Sequence, residues 1–354
     1  MKKIKKLLIL LVSLIFTPKY KFDIKDSKKI LFSARFKIGD SIMLFPLLRE
    51  MKKNNPNLEI DILCSNKSNF MFANNKNISN VFTLYKGLDF FLHSIPQWFF
   101  MRKNSYDLII ELSPIKFGNF FYYASLGANK YIAENSVNRY KLNLNRLSIF
   151  SELVEENTTQ YMAASYFRYL ELFNYKLDNK KLEIFTTDEK REFSKSYFSK
   201  YEDKKIVLIN IDGSSYIRSL HKQDYLYLAE QISDIENTVV FFTSLPNKRV
   251  TLEKELVKLN NTSLSYETKD IFDVIAMVEY IDLLISPDTS LLHIANALEK
   301  EAVGIYSSSS VSTYIWFDKN SKISAVRSKH VDSDSIQGFD KAEVISIVKE
   351  KLGR

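Results

Sequence analysis

Cysteine and histidine are scarce in this sequence, which has one cysteine and four histidines among 354 residues. A disulfide framework needs several cysteines, and a His/Cys metal site needs its ligands close together. The histidines are scattered along the chain, and Cys64 ends the apolar run 58–64. We therefore expect a reducing compartment, chemistry without a bound metal ion, and a Cys64 that is a small buried strand residue rather than a reactive thiol.

The amino terminus lacks an apolar run long enough to cross a membrane. Four lysines within residues 2–6 precede the apolar segment 7–16, which is about half as long as a spanning helix, and no small-x-small cleavage site follows it. A basic, apolar helix of this length can lie in the membrane interface, with its lysines near anionic headgroups. We expect residues 1–25 to be such a peripheral anchor at the inner, cytoplasmic face of the cytoplasmic membrane. The alternative is an uncleaved or unusually cleaved secretion signal, which would place the protein outside the cytoplasm.

Hydrophobic residues make up 45% of the chain and charged residues 26%, as in folded globular proteins. A chain of 354 residues exceeds the usual size of one α/β core and suits two. Its 50 basic and 42 acidic residues give a net charge of +8, which attracts phosphorylated or anionic partners. A lysine-rich, solvated surface accounts for the same excess, so the charge alone identifies no partner.

From Lys29 onward, short apolar runs alternate with longer segments of helical character, which is typical of parallel strands joined by crossover helices. The sequence predicts strands at 30–34, 58–63, 81–84, 107–112, 130–133, 206–211, 238–242, 282–286 and 302–306. Helices are predicted at 41–53, 89–101, 117–125, 159–173, 223–233, 248–258, 271–280, 289–297 and 341–351. The composition changes in the polar segment 174–181. We therefore expect an α/β protein with Rossmann-like domains at 26–175 and 176–335, and a terminal helix within 336–354.

Open parallel sheets bind ligands at the carboxyl ends of their strands, so two such domains facing each other across a cleft would bring three motifs together. The first motif, residues 34–41, joins the first strand to a helix. Gly39 permits a tight turn, and Asp40 then lies at or next to the helix N-cap, where it needs no catalytic role. At the mouth of a cleft, the same carboxylate could instead deprotonate a sugar hydroxyl. Arg35 and Lys37 could hold anionic groups of an acceptor, although exposed basic residues are ordinarily only solvated.

The second motif, residues 210–218, follows the first strand of the second half. The small residues Gly213 and Ser214 let the backbone approach a ligand closely. The hydroxyls of Ser214 and Ser215 and the guanidinium of Arg218 are donors suited to a phosphate. A Gly-Ser segment after a strand is also, more simply, a turn.

The third motif, residues 285–297, is a strand end followed by a helix rich in small and apolar residues. Asp288 or Thr289 can cap this helix, whose first N–H groups and dipole suit a diphosphate. His293 falls one turn into the helix. It is either part of the ligand site or a hydrogen-bonded histidine of the core.

Together, the three motifs resemble glycosyltransferase family 9, which includes the bacterial lipopolysaccharide heptosyltransferases. The family has a Gly-Asp turn and a Pro-containing apolar helix after its first strand, matched by Gly39, Asp40 and Pro46. A Pro-Gly-Ala-Ser-like turn followed by a basic residue is matched loosely by 210–218, and an Asp-Thr-Gly-x-x-His segment by 288–293. The order and spacing agree over most of the chain.

The resemblance implies the GT-B fold and an inverting, metal-independent sugar transfer that uses no cofactor, with a nucleotide diphosphate sugar as co-substrate. It implies that Asp40 is the general base and that Arg218 stabilises the leaving diphosphate. The acceptor, a lipopolysaccharide or related glycolipid, would lie near Arg35, Lys37 and Gly39. The residues implied at the donor site are Gly213, Ser214, Ser215, Lys269, Asp270, Asp288, Thr289, Ser290, Leu291 and His293. Among these, Lys269 and Asp270 would lie near the base of the nucleotide.

Three departures from the family pattern loosen the donor assignment. Ser290 replaces the usual Gly, Arg218 replaces the usual Lys, and residues 307–310 stand where a Gly-Pro-Thr turn is common. ADP-heptose is the family's best-known donor, but the altered pocket could accept another nucleotide sugar for transfer to a capsule or protein glycan. A catalytically silent protein that binds nucleotide sugars is the alternative from a different class. A dinucleotide-dependent oxidoreductase is disfavoured, because no Gly-x-Gly-x-x-Gly follows the strand at 30–34.

Overall fold

The structure is a computed structural model that describes residues 2–18, 21–34, 37–113, 115–135, 142–155, 162–309, 317–318, 320–331 and 334–353. The chain divides into two compact units, Met1–Lys181 and Leu182–Arg354. Each unit is built on one six-stranded sheet, so the predicted α/β fold with two Rossmann-like halves is confirmed. None of the helices within the described ranges is both long enough and apolar enough to cross a membrane.

The sheet of the amino-terminal unit has the order β3-β2-β1-β4-β5-β6, and its neighbouring strands are parallel. The strands are β1 (Lys29–Ser33), β2 (Glu59–Ser65), β3 (Asn80–Leu84), β4 (Tyr106–Glu111), β5 (Ala128–Asn135) and β6 (Glu152–Glu155). Consecutive residues of β1, such as Ile30 and Leu31, are fully buried because the strand is covered on both faces. The first five strands confirm the predictions. The sequence does not predict β6, which is short and half charged.

The helices of this unit are α1 (Lys2–Ile15), α2 (Ile38–Asn54), α3 (Asn69–Ala73), α4 (Ile95–Lys103), α5 (Phe117–Ala124) and α6 (Met162–Leu172). A π-helical turn, Phe90–Ser94, precedes α4, so the predicted helix at 89–101 has an irregular beginning. The predicted helices are confirmed, although residues 159–161 of the last one lie outside the described ranges. The sequence does not predict α3, which is a little over one turn long.

Helices α1, α4 and α5 share one hydrophobic core with the sheet. Ile9 of α1, Met101 of α4 and Phe120 of α5 belong to this core together with Leu31 of β1. Because successive side chains of a strand point to opposite faces, contact with one set of strand residues places the three helices on the same side of the sheet. The amino-terminal helix α1 therefore packs on the same side of the sheet as α4 and α5.

The polar segment 174–181 is held on α2. The N–H of Asp178 donates a hydrogen bond to Glu50 Oε2 at 3.0 Å, and Arg49 Nη1 donates to the carbonyl oxygen of Lys181 at 2.9 Å. These bonds fix the end of the amino-terminal unit on its second helix. The first unit accordingly extends to Lys181.

The sheet of the carboxy-terminal unit has the order β9-β8-β7-β10-β11-β12, again with parallel neighbours. The strands are β7 (Lys205–Asn210), β8 (Thr238–Thr243), β9 (Thr262–Leu264), β10 (Leu283–Pro287), β11 (Glu301–Tyr306) and β12 (Ile323–Arg327). When the strands are numbered within each unit, this order is identical to that of the first sheet. Strands β7, β8, β10 and β11 confirm the predictions, whereas the edge strands β9 and β12 are not predicted.

The helices of the carboxy-terminal unit are α7 (Asp188–Phe198), α8 (Lys222–Ser233), α9 (Arg249–Leu256), α10 (Ile271–Glu279), α11 (Ser290–Ala297) and α12 (Lys341–Lys351). All except α7 confirm predicted helices. Val344 and Val348 of the last helix belong to the same core as Leu228 of α8. The chain's final helix is thus part of this unit's hydrophobic core.

Candidate active site

The second and third motifs meet at the carboxyl edge of the second sheet. Strands β7 and β10 are neighbours, and the strand order reverses between them, which is the usual ligand position in open α/β sheets. The side-chain amide of Asn210 donates to Ser286 Oγ at 3.0 Å, and Ser286 Oγ lies 3.0 Å from Thr289 Oγ1. Both motifs are therefore held in one hydrogen-bonded cluster at the predicted edge.

The loop after β7 is closed on itself by backbone contacts. The N–H of Leu220 donates to the carbonyl oxygen of Ile211 at 2.9 Å, and the N–H of Gly213 donates to Ser219 Oγ at 3.0 Å. A Cβ atom on Gly213 would lie 1.9 Å from the carbonyl oxygen of Arg218. Only glycine fits at position 213 without a shift of the loop, because the backbone of Arg218 lies so close to it.

Arg218 lies at the end of this loop and is partly exposed. Its Nη2 atom is 3.1 Å from Asp334 Oδ1, and 34% of the Arg218 side-chain surface is exposed to solvent. Ser309 Oγ donates to the same carboxylate at 2.6 Å, and this hydrogen bond, followed by the charge of Arg218, lowers the pKa of Asp334. Ser214 and Ser215 are exposed on the same loop. A guanidinium and two hydroxyls are thus accessible at this edge.

Helix α11 begins beside the loop. Thr289 is its N-cap, and its Oγ1 accepts a hydrogen bond from the N–H of Leu291 at 3.3 Å. Of the two capping residues that the sequence allows, Thr289 therefore forms the cap. Asp288 instead donates its backbone N–H to the carbonyl oxygen of Ile305 at 3.2 Å. Ser290 and Leu291 are partly exposed in the first turn, where the helix dipole favours an anion.

His293 is buried one turn into α11. Its ring lies against that of Phe317, with centroids 5.2 Å apart. Burial lowers the pKa of His293 to about 4 by disfavouring the charged ring. The imidazole is therefore neutral near pH 7, and it packs against Phe317 as a core residue does. A contact between His293 and a sugar donor stays a prediction.

Lys269 and Asp270 lie farther along the same sheet edge. They follow β9, which is separated from β7 by β8. Asp270 is the N-cap of α10, where it accepts from Phe272 N at 2.8 Å and pairs with Lys190 Nζ at 3.0 Å. Its carboxylate has a structural role there. Lys269 is exposed, and its contact with a nucleotide stays a prediction.

A second pair of charges, not predicted from the sequence, lies at this edge. Asp212, two residues after the end of β7, accepts a hydrogen bond from the N–H of Leu245 at 2.6 Å and forms an ion pair with Lys248. These contacts join the ends of β7 and β8 and place a partly exposed ammonium group beside the loop. Asp212 lies two residues after β7, within the second motif, but Lys248 lies five residues after β8, so no local sequence pattern joins the two.

The first motif adopts a different conformation from the one that we expected. Helix α2 begins at Ile38 with Lys37 as its N-cap, so Gly39 and Asp40 lie inside its first turn. The predictions of a tight turn at Gly39 and of Asp40 at or next to the helix N-cap are therefore wrong. Asp40 bonds back to the Lys37 N–H at 3.1 Å, as the third helical residue of a capping box does. Arg35 lies outside the described residues.

The Asp40 carboxyl group is partly buried. Burial raises its pKa, and this effect exceeds the lowering by the Lys37 N–H and the Lys37 charge. A raised pKa makes a carboxylate a stronger base. Lys37 is exposed and Gly39 is buried, so Lys37 offers a side chain to solvent.

Two further carboxylates, which belong to none of the three sequence motifs, lie at the same edge of the first sheet. Glu111 is buried at the end of β4, where it accepts from Ser33 Oγ at 3.2 Å. The pKa of Tyr166, a buried residue of α6, is raised first by burial and then by the charges of Glu134 and Asp40. Glu134 and Asp40 therefore both lie near Tyr166. Glu111 is the last residue but one of the predicted strand 107–112, and Glu134 directly follows the predicted strand 130–133. A carboxylate at the carboxyl end of a strand is the signal that could have identified them.

No group of three or more His, Cys, Asp or Glu residues within the described ranges is arranged to hold a metal ion. Cys64 is buried in β2, as predicted, and its thiol donates to the carbonyl oxygen of Phe82 at 3.4 Å. Burial raises the pKa of Cys64 to about 12. The thiol is thus protonated and unreactive near neutral pH.

Comparisons with known proteins place this geometry in a family. The model of glycosyltransferase family 9 (heptosyltransferase) matches residues 101–337. The proposed lipopolysaccharide heptosyltransferase 4 of Escherichia coli strain K12 is 23% identical over 336 residues, covering 90% of this chain and 87% of that protein.

Solved structures show the same fold. The family 9 glycosyltransferase of Veillonella parvula DSM 2008 aligns with a TM-score of 0.76 and 14% identity, covering 94% of this chain and 98% of that one. The Escherichia coli heptosyltransferase WaaC, solved with ADP, aligns with a TM-score of 0.72 and 9% identity, covering 91% and 99%. The likeness to these proteins shows the GT-B fold.

Proposed function

Because this chain belongs to glycosyltransferase family 9, we propose that it moves a sugar, with heptose as the first candidate, from a nucleotide diphosphate sugar to a lipopolysaccharide or related glycolipid. Membership of the family makes the protein a glycosyltransferase. The observation that carries the proposal is the cluster at the ends of β7 and β10, where Asn210, Ser286 and Thr289 hold a closed loop beside a helix start.

We assign binding of the nucleotide sugar donor to the carboxy-terminal unit. A diphosphate carries negative charge that increases as the sugar leaves, and it is stabilised by fixed cations, N–H groups and helix dipoles. The accessible guanidinium of Arg218, the ammonium group of Lys248 and the start of α11 supply these at one sheet edge. Ser214 and Ser215 add hydroxyl donors. Positive groups of the protein itself can therefore take the place that a metal ion has in other transferases.

We assign binding of the acceptor, and removal of its proton, to the amino-terminal unit. The oxygen of an acceptor hydroxyl forms a bond to the anomeric carbon, and the bond from that carbon to the diphosphate oxygen breaks. The proton of the hydroxyl passes to the Asp40 carboxylate, whose raised pKa suits a general base. A single displacement of this kind inverts the anomeric carbon. Lys37, exposed at the start of α2, is placed to meet an anionic group of the acceptor.

The choice of heptose is supported by the names of the relatives, since the Escherichia coli relative is named as a heptosyltransferase and WaaC was solved with ADP. ADP-heptose is therefore the first donor to test. Ser290 adds a side chain at the helix start where the family usually has Gly, so a pocket of altered shape could select another nucleotide sugar. The acceptor would then be a capsule or protein glycan.

The proposal is tested by titrating the purified protein with a panel of nucleotide diphosphate sugars and assaying transfer with the donor that binds. We expect one donor to bind and to be consumed in the presence of a glycolipid acceptor, with an inverted anomeric carbon in the product and no effect of EDTA. Donor binding without hydrolysis or transfer for every acceptor would favour a silent binding protein. Loss of activity with EDTA, restored by a divalent cation, would refute the metal-independent mechanism.

A further inference from the structure

One side of the amino-terminal unit is strongly apolar. Every exposed large apolar side chain that the structure describes in this unit lies on α1, on the segment just before α4, on α4 or on α5. We call the following side chains the apolar face: Ile4, Leu7, Leu8, Leu11, Leu14, Ile15, Leu88, Phe91, Leu92, Phe99, Phe100 and Phe121. Single exposed apolar residues are ordinary, but a concentration of them marks an interaction surface.

The parts of the apolar face are neighbours, because α1, α4 and α5 cover the same side of the sheet and share the core beneath them. The ring of Phe16, next to the end of α1, meets the ring of Phe121 edge-on, with centroids 6.3 Å apart. Between α4 and the end of α5, the indole N–H of Trp98 donates to Ser125 Oγ at 2.9 Å. Helix α5 therefore links α1 on one side to α4 on the other.

The same segments carry most of the net positive charge. Residues 2–18, 86–103 and 116–124 contain eight of the 50 basic residues and one of the 42 acidic residues, Asp89. The remaining 42 basic and 41 acidic residues make the rest of the chain nearly neutral. The lysines at the start of α1 are exposed. Positive charge thus accompanies the apolar side chains.

We propose that the apolar face is a docking surface for an anionic lipid bilayer. Helix α1 lies flat in the interface, with its leucine and isoleucine side chains among the acyl chains and its lysines beside the headgroups. Phe91, Leu92, Phe99 and Phe100 enter the same interface as a second point of contact. The proposal concerns only the outer side of one unit and does not depend on the transfer reaction.

The position of α1 suits a helix that lies on a membrane. Its 14 residues span about 21 Å at the usual helical rise, less than the roughly 30 Å of a hydrocarbon core. Its inner side is occupied, because Ile9 and Val12 belong to the hydrophobic core and Ser13 Oγ accepts from the N–H of Ile149 at 3.0 Å. The helix can therefore reach lipid through its outer side while it stays packed on the protein.

A second copy of the chain is a poorer occupant than a bilayer. Two copies that met through this face would bring their amino-terminal lysines together, with Asp89 as the one acidic residue in these segments to offset them. Like charges brought together without partners oppose association. An anionic bilayer supplies the complementary charge over the whole face.

Flotation of the purified full-length chain with vesicles tests the proposal. Vesicles of phosphatidylglycerol mixed with phosphatidylcholine should carry the protein upward, and vesicles of phosphatidylcholine alone should carry much less. Added salt should weaken binding to the anionic vesicles, because it screens the lysines.

Substitutions identify the surface. Leu11→Glu, and the double change Phe99→Ser with Phe100→Ser, should each weaken vesicle binding by about tenfold. The matched control is Val250→Ser with Val257→Ser, which changes two exposed apolar residues of the other unit and should bind like the wild type. Circular dichroism and thermal unfolding verify that each variant is folded.

Failure of the wild type to float with anionic vesicles, or equal flotation of all folded variants, would overturn the proposal. It would also be wrong if the wild type formed dimers, failed to bind vesicles, and became monomeric with the phenylalanine changes, since the occupant would then be a second copy. Vesicle binding by a protein that transfers no sugar would refute only the proposed function. The two proposals therefore fail separately.

Discussion

The two units use one strand order to build two different sheet edges. In each, the first strand of the unit lies at the centre, between the second strand on one side and the fourth on the other. The edge of the first sheet carries carboxylates, including Asp40 and the buried Glu111. The edge of the second carries amide and hydroxyl groups, Asn210 and Ser286, next to the cation of Arg218. A few residues after each strand therefore decide the chemistry, while the frame stays the same.

The outer surfaces differ as well. The exposed apolar side chains of the first unit are concentrated on three neighbouring helices and the turn before one of them, whereas those of the second, such as Phe193, Tyr227 and Val331, lie on separate elements. An α/β frame constrains the sides of its helices that face the sheet. The outer sides are free to specialise, and among the residues that the structure describes, only the first unit has exposed apolar side chains concentrated on one side.

The largest effect should come from removing the carboxylate of the first edge. Asp40→Asn keeps the size of the side chain and its bond to the Lys37 N–H, but an amide cannot accept the proton. We expect kcat to fall about 10³-fold, while calorimetry shows unchanged nucleotide affinity. The control is Asp188→Asn, at a side chain that is 97% exposed. Transfer at the wild-type rate by Asp40→Asn would remove this residue from the mechanism and break the comparison.

A smaller loss should follow from removing the cation of the second edge. Arg218→Ala should lower kcat by about 10²-fold, because charge developing on the diphosphate is no longer offset, and Arg218→Lys should recover part of the loss. Asp334→Asn is the matched control, since it removes the partner at 3.1 Å but keeps the guanidinium. Equal rates for Arg218→Ala and Asp334→Asn would show that Arg218 acts only in a surface ion pair.

Changing the backbone of the donor loop should weaken binding rather than chemistry. Gly213→Ala places a Cβ atom 1.9 Å from the Arg218 carbonyl oxygen, so the loop must shift. We expect nucleotide affinity to fall about tenfold, as measured by calorimetry. Gly118→Ala in α5 is the control, because its Cβ would meet no heavy atom within 4 Å. Identical affinities for the two variants would separate the loop from the donor site.

An effect on folding stability, and not on transfer, should appear only in acid. The pKa of His293 is lowered to about 4 by burial, below the value near 6.5 of an unfolded chain, so protons bind the unfolded state first. Stability should therefore be full above about pH 6.5 and fall by up to about 3 kcal/mol toward pH 4. Urea unfolding across this range should show a weaker acid dependence for His293→Gln than for the wild type. His93→Gln, at an exposed histidine, should keep the wild-type dependence, and the same slope for all three proteins would contradict a buried, neutral His293.

The central strands could be predicted because burial on both faces demands consecutive apolar residues. The runs at 206–211 and 282–286 differ from the observed β7 and β10 by one residue at each end. The edge strands were harder. Thr262–Leu264 has three residues, all partly exposed, and pairing with a neighbour, rather than its composition, makes it a strand. Tertiary contacts of this kind leave little trace in a local pattern.

Part of the candidate site could be predicted in the same way. The rule that ligands bind at carboxyl ends predicted that the motifs at 210–218 and 288–293 would meet. It could not predict that α2 begins before Gly39, because that start depends on a capping box between Asp40 and the backbone of Lys37. Ion pairs between distant residues, such as Arg218 with a partner 116 positions away, have no local signal at all.

Amide hydrogen exchange along the whole chain, with and without saturating nucleoside diphosphate, tests the division between the two units most directly. ADP is the first probe, followed by other nucleoside diphosphates until one binds. The account predicts slower exchange in residues 211–220 and in the first turn of α11, with the start of α2 unchanged while no acceptor is present. Protection confined to the amino-terminal unit, or none in these two segments with a bound nucleotide, would contradict it.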